Sequence, residues 1–255
     1  MYYSLFLLLV ATPATLGYAW RATKKRPRQK TSSQKITFVV FDFDGTLADS
    51  FHAAIATCNA LATRYKLPTI TAAQIEEIRQ LSMRDIITKR LKIPWYKITF
   101  FHAKATRFMA ENAPTLKPFQ NIATTLKNLK KQGYGLGIIT SNNRTAVKNF
   151  LRRNSIDVFD VLYTDSSLFG KHRVMRSFLR KHRLSAHNIV YVGDEVRDIE
   201  AAKTAGIRMI AVGWGYNSQE ILRANQPDAF IATPQELAQT IGDLQLHEAA
   251  SVKQT

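Results

Sequence analysis

The chain has 255 residues, 45% of them apolar and 22% charged, which is ordinary globular usage and enough to bury a sizeable core, so disorder is excluded as the default. Lys and Arg total 36 against 19 Asp and Glu, a formal charge of +17; this excess draws anions without choosing among phosphorylated metabolites, nucleic acid and acidic lipid. Cys58 is the single cysteine, which rules out an internal disulfide and a multi-cysteine zinc site.

Residues 1–20 carry no charged side chain and are about as long as a helix that crosses a hydrocarbon core. Arg21, Lys24, Lys25, Arg26, Arg28, Lys30 and Lys35 follow at once, whereas a secretory signal places its charge before the apolar stretch. The expectation is a membrane anchor over 1–20 and a basic tether over 21–35, with the catalytic part on the inner face of the cytoplasmic membrane. Ser4, Thr12, Pro13, Thr15 and Gly17 interrupt the span, so an interfacial helix and an incorrectly chosen start codon stay open as the rivals, the protein being otherwise cytoplasmic. No arginine-rich repeat or basic and aromatic signature is visible, and no specific nucleic-acid partner is predicted. Nothing here reads out an oligomeric state.

From Lys35 onward short apolar runs alternate with amphipathic stretches. The first strand is expected over 36–41, followed by helical spacing over 52–65, 71–80, 82–91 and 95–111, with Pro68, Pro94 and Pro114 as breaks. A helix over 120–132, a strand over 136–139, a helix over 143–153 and a strand over 158–163 come next. A helix over 171–183, a strand over 189–192, a helix over 196–205 and a strand over 209–212 complete the series. This order predicts an α/β fold, a doubly wound, mostly parallel Rossmann-like sheet. The gap of about seventy residues after the first strand is far more than a crossover needs. It reads as an inserted all-helical cap over 51–114, leaving the core to 36–50 and 115–245 and a polar, disordered tail to 246–255. An insertion at that point can cover the carboxyl ends of the strands, where ligands of open α/β sheets bind.

The first strand runs into Asp42-Phe43-Asp44-Gly45-Thr46. Strand periodicity puts Asp42 and Asp44 on one side and Phe41 and Phe43 on the other. Two carboxylates held so close repel unless a cation or a shared proton intervenes, and oxygen-ligated Mg²⁺ is the natural partner. Gly45 permits a tight turn whose amides can face an anion. A solvated acidic turn fits poorly after an apolar strand, and a helix-loop-helix calcium site lacks its closing Glu, with Ala53 in that place.

Asp42-Phe43-Asp44-Gly45-Thr46-Leu47-Ala48-Asp49-Ser50 resembles the first motif of the haloacid dehalogenase superfamily, closest to its phosphoglycolate-phosphatase-like branch with a helical cap after this strand. Three further stretches fit the resemblance. Ile138-Ile139-Thr140-Ser141-Asn142 resembles the second motif, although by itself such a run is often a helix N-cap. Lys171 stands where the third motif's lysine belongs, followed by His172 where many members carry Pro. Val190 to Asp198, with Gly193-Asp194 and a second acid four residues on, resembles the fourth.

The resemblance covers roughly 36–240 and implies a phosphoric monoester hydrolase using Mg²⁺ and a small phosphorylated metabolite. It implies Asp42 as nucleophile and Asp44 as acid and base, with Thr46, Thr140, Ser141, Asn142 and Lys171 on the phosphate. Asp42, Asp44 and Asp194 would hold the metal, Asp44 through its backbone carbonyl, while Asp198 orients Asp194 or pairs with Lys171. Asp44 favours phosphate esters over carbon-halogen and carbon-phosphorus bonds, because the superfamily's dehalogenases and phosphonate hydrolases lack this second carboxylate. A sugar-phosphate mutase and an inactive, membrane-tethered binding scaffold remain the alternatives. Substrate choice is expected in the cap, around Arg79, Arg84 and residues 95–102.

Overall fold

The computed structural model describes residues 35–82, 85–112, 116–164 and 170–252. The expected anchor over 1–20, the tether up to residue 34 and Arg84 lie outside these residues. Among the described residues no helix is long and apolar enough to cross a membrane.

Six parallel strands form one sheet in the order β3-β2-β1-β4-β5-β6. They are β1 Phe38–Phe41, β2 Gly135–Thr140, β3 Val161–Thr164, β4 Ile189–Gly193, β5 Arg208–Val212 and β6 Ala229–Ile231. The chain winds outward from β1 through β2 to β3, then returns to the other side of β1 with β4. The topological switch therefore falls between β1 and β4, where such sheets open a crevice at their carboxyl ends. The sixth strand is an addition to the five expected. Its three residues, Ala-Phe-Ile, are too short to show a period, and pairing with β5 makes them a strand.

Central strands of a parallel sheet are covered on both faces and so read as continuous apolar runs. Val39 and Phe41 enter one core with Ile122, Leu126, Val147 and Phe150, from α4 Ile122–Lys131 and α5 Arg144–Arg153. Val40 enters the other core with Met175, Phe178, Ile199 and Ala202, from α6 Lys171–His182 and α7 Val196–Ala205. Phe43 joins Phe41 in the first core, which turns the intervening Asp42 and the following Asp44 the other way.

Between β1 and α4 lie α1 Phe51–Arg64, α2 Ile75–Arg79 and α3 Ile98–Asn112. They and the segments that connect them carry an apolar cluster of their own, made of Ile70, Ile78, Leu91, Ile93 and Ile98. Where helical spacing predicted a helix over 82–91, the described part is a π-helical turn, Ile86–Arg90. Lys92, with φ of 51°, and then Pro94 end it within a few residues.

After β5 come α8 Gln219–Ala224 and α9 Leu237–Val252. The last helix replaces most of the disordered tail expected over 246–255. Leu237, Ile241 and Leu244 dock on the core at helical spacing, and the Ala-containing sequence beyond them continues the helix.

Candidate active site

Strand register assembles the site. Phe41 pairs with Ile138 of β2 and with Val192 of β4, so Asp42 to Asp44 run out beside Thr140 and Ser141 on one side and Gly193 and Asp194 on the other. Asp42, Asp194 and Asp198 come together with ligand oxygens within 4.8 Å of one another. Asp42 is 2% exposed, while Asp194 and Asp198 are fully buried. Lys171, the first residue of α6, reaches into this group. Its Nζ donates to Asp42 Oδ2 at 2.7 Å and to Asp198 Oδ1 at 2.5 Å.

Three buried carboxylates against one ammonium leave an excess negative charge that burial penalises. Burial, opposed by Lys171 and aided by Asp198, pushes Asp42 up to about 7. Burial together with Glu195, Asp198 and Asp42 drives Asp194 well above the carboxylate range. Burial works against the Lys171 ammonium, but the Asp198 and Asp42 carboxylates outweigh it and raise its pKa. An all-oxygen donor set of buried acids with strained ionisation suits a hard divalent cation, and Asp42, Asp194 and Asp198 are the side chains placed to hold one.

The remaining residues expected at the site divide by what they touch. Thr46 Oγ1 donates to Asp194 Oδ1 at 2.6 Å, so this hydroxyl aims a carboxylate. The Asn142 side-chain amide donates to Asp44 Oδ2 at 2.9 Å, and its backbone N–H donates to Thr140 Oγ1 at 3.0 Å. Asp44 stands apart from the clustered acids. Its Oδ1 is buried without a hydrogen-bond partner, and burial raises its pKa against the Asn142 amide and the nearby Ser50 hydroxyl. Thr140 is buried at the end of β2, and Ser141 is half-buried beside it.

The loop after β5, noted in the sequence only as Gly-Trp-Gly-Tyr-Asn near the mouth, holds more of the site than its composition shows. The Tyr216 N–H donates to Asp194 Oδ2 at 2.7 Å, and the Tyr216 hydroxyl lies 2.9 Å from Ser50 Oγ. Trp214 Nε1 donates to the Thr46 carbonyl at 3.1 Å. A Cβ on Gly215 would stand 2.2 Å from Asp194 Cβ, and one on Gly45 2.1 Å from Asp194 Oδ2; both glycines are needed for this close approach.

The same loop fastens the cap. Asn217 Nδ2 donates to the carbonyls of Arg79 at 3.1 Å and Leu81 at 2.9 Å, and its Oδ1 accepts from the Val196 N–H at 2.9 Å. Arg79, a candidate for a substrate anion, instead donates to the Gly215 carbonyl at 2.9 Å, with its guanidinium over the Phe51 ring. Glu195 and Arg197 form a further pair, Nε to Oε1 at 2.8 Å. The two stand only two residues apart in sequence, a spacing that does not face them on a helix, so no sequence pattern marked them. A cavity of about 170 Å³ opens from Asp44, Ser141 and Asn142 into the cap.

The profile of the family described as haloacid dehalogenase-like hydrolase matches residues 39–212. A phosphoglycolate phosphatase of Synechococcus elongatus is 32% identical over 207 residues, covering 81% of this chain and 97% of that protein. A pyrophosphatase of Bacillus cereus is 26% identical, covering 82% of this chain and 98% of its own length. The fold is shared with a haloacid dehalogenase-like family hydrolase from Streptococcus pneumoniae, with a TM-score of 0.66 at 24% identity over 80% of this chain and 98% of that one.

Proposed function

The chain belongs to the haloacid dehalogenase-like hydrolase family, in its phosphoglycolate-phosphatase-like branch, and is a hydrolase of phosphoesters; on that premise we propose that it cleaves small phosphomonoesters through an aspartyl-phosphate on Asp42. The observation that carries this reading is the buried convergence of Asp42, Asp194, Asp198 and Lys171 at the switch point of the sheet.

Asp42 attacks phosphorus in line with the leaving oxygen, and a carboxylate held by Lys171 needs no histidine base for this. Asp44 gives the leaving alcohol its proton, then takes one from the water that cleaves the acyl phosphate. Its raised pKa favours the protonated form that the first step requires. Thr140, Ser141 and the Lys171 ammonium take up charge on the equatorial oxygens. Asn142 supports the same end of the site by holding Asp44. Asp42, the backbone carbonyl of Asp44 and Asp194 would hold Mg²⁺, with Asp198 in reach, and the bound ion would supply charge neutralisation for the carboxylates and the phosphoryl group.

The test is acid quenching during turnover of a labelled phosphomonoester. Label should be recovered on Asp42 in the wild type, and Asp42→Asn should release no phosphate. Labelled protein in the Asp42→Asn variant would remove the nucleophile assignment. Oxygen-18 from water entering the released phosphate marks hydrolysis, while an isomerised product without it marks a mutase. Residues 1–20, uncharged and followed by the basic run, are assigned as the anchor that places this activity at the inner membrane face. Release of the full chain from membranes by salt alone would overturn that part.

A further inference from the structure

We propose that the alcohol half of the substrate is a compact apolar group, so that the preferred substrate is the phosphate monoester of an apolar alcohol; this rests on the phosphatase reading above. The cavity beside Asp44 is the space into which the leaving group must extend. Asp42 and Lys171 hold the phosphoryl end, Asp44 meets the bridging oxygen, and the cavity starts from Asp44, Ser141 and Asn142. Its walls inside the cap are Leu61, Leu67, Ile87, Leu91, Ile93 and Phe101. An apolar cavity of about 150 Å³ binds a benzene-sized guest and excludes water, and this one measures about 170 Å³.

The one counter-charge on the described walls for an anionic leaving group is already paired. Among the described lining residues Arg197 is the one Lys or Arg side chain, and its guanidinium is engaged by Glu195 at 2.8 Å and 2.5 Å. Burial, and after it the nearby Arg197 charge, lowers the pKa of His102 and favours its neutral ring. Burial pushes the Cys58 thiol up to about 11, so it stays uncharged as well. Thr57 spends its hydroxyl on the Ala53 carbonyl at 2.8 Å. A carboxylate or second phosphate among the apolar walls would lose its hydration, meet the Asp44 carboxyl at the mouth and compete with Glu195 for Arg197.

The reaction balances with water as the second substrate. The alcohol–phosphorus bond breaks as the Asp42 oxygen–phosphorus bond forms, and Asp44 supplies the alcohol's proton. Water then attacks phosphorus, returns its proton to Asp44 and leaves alcohol and inorganic phosphate.

The experiment compares benzyl phosphate, ethyl phosphate and 2-phosphoglycolate on the full-length protein with Mg²⁺, three primary-alcohol esters that differ chiefly in what enters the cavity. One methylene in an apolar pocket is worth about 10- to 200-fold in kcat/KM, so benzyl phosphate should exceed each of the others by at least about tenfold. Ala54→Leu, which adds a side chain at the cavity wall, should reduce the ratio of benzyl to ethyl phosphate turnover, a readout that does not depend on how much protein is folded. Hydrolysis of 2-phosphoglycolate or ethyl phosphate as fast as benzyl phosphate overturns the apolar assignment while leaving the phosphatase reading intact. No phosphate release from any of the three overturns both.

Discussion

Replacing Asp42 by Asn should abolish turnover and, in the absence of a divalent cation, make the protein more stable at alkaline pH. The folded-state pKa of about 7 lies above the ordinary 3.8 because burial disfavours the charged form. A raised carboxyl favours folding fully below its unfolded pKa and loses that contribution as pH climbs through the folded value. Between these limits wild type therefore loses stability as pH rises, by roughly 4 kcal/mol once both limits are passed. Asn does not titrate, but one end of its amide must meet a donor. Asp42 accepts from the Phe43 N–H at 2.8 Å and from Lys171 at 2.7 Å, and mismatching one of these costs about 1–2 kcal/mol. The two effects nearly cancel at pH 5, where only about 2 kcal/mol of the wild-type penalty has developed, and leave Asn ahead by roughly 2–3 kcal/mol at pH 8. Urea denaturation in EDTA at the two pH values measures the difference. Mg²⁺ should close the gap by stabilising wild type through the intact carboxylate cluster. A variant less stable than wild type in EDTA at pH 8, or a gap equal at pH 5 and pH 8, would refute the electrostatic account of the site.

Three other substitutions test how the site is held and how the sheet behind it is pinned. Gly215→Ala should lower kcat at least about a hundredfold, because the new methyl collides with Asp194 and displaces the Tyr216 N–H that aims it; steady-state kinetics with a generic aryl phosphate reads this. Asn217→Ala removes two donations to the cap and one acceptance from Val196, so hydrogen exchange should quicken across 75–82 and stability should fall by about 2–4 kcal/mol. Burial opposes ionisation of Asp160, yet the Lys130 ammonium and the Leu136 N–H hold its carboxyl below the usual range. Its contribution is therefore present above the unfolded pKa and lost as pH falls through the folded one. Asp160→Asn should cost about 1 kcal/mol near pH 7, because the pair is partly exposed, and much less near pH 3, as thermal melts at the two pH values would show.

Local periodicity was enough to specify the alternation of strands and helices, the interruption after β1 and the acids at the ends of β1 and β4. Each of these is written in contiguous residues: an apolar run ending in Asp-Phe-Asp-Gly, another ending in Gly-Asp. Strand order, and with it the meeting of Asp42, Asp194, Asp198 and Lys171, is a matter of which hydrogen-bonded edges pair over more than a hundred residues. No local pattern carries that information. Tertiary structure also decided where the polar side chains spend their hydrogen bonds. Thr46 and Asn142 have the residue types of phosphate ligands, but their side chains hold Asp194 and Asp44. Arg79 has the charge to bind a substrate anion, yet the approach of Gly215 and Phe51 makes it a tie between cap and core. The apolar cavity was hidden for the same reason: its walls read in sequence as ordinary helix cores, and only the packing of the cap helices leaves a space between them that opens on Asp44.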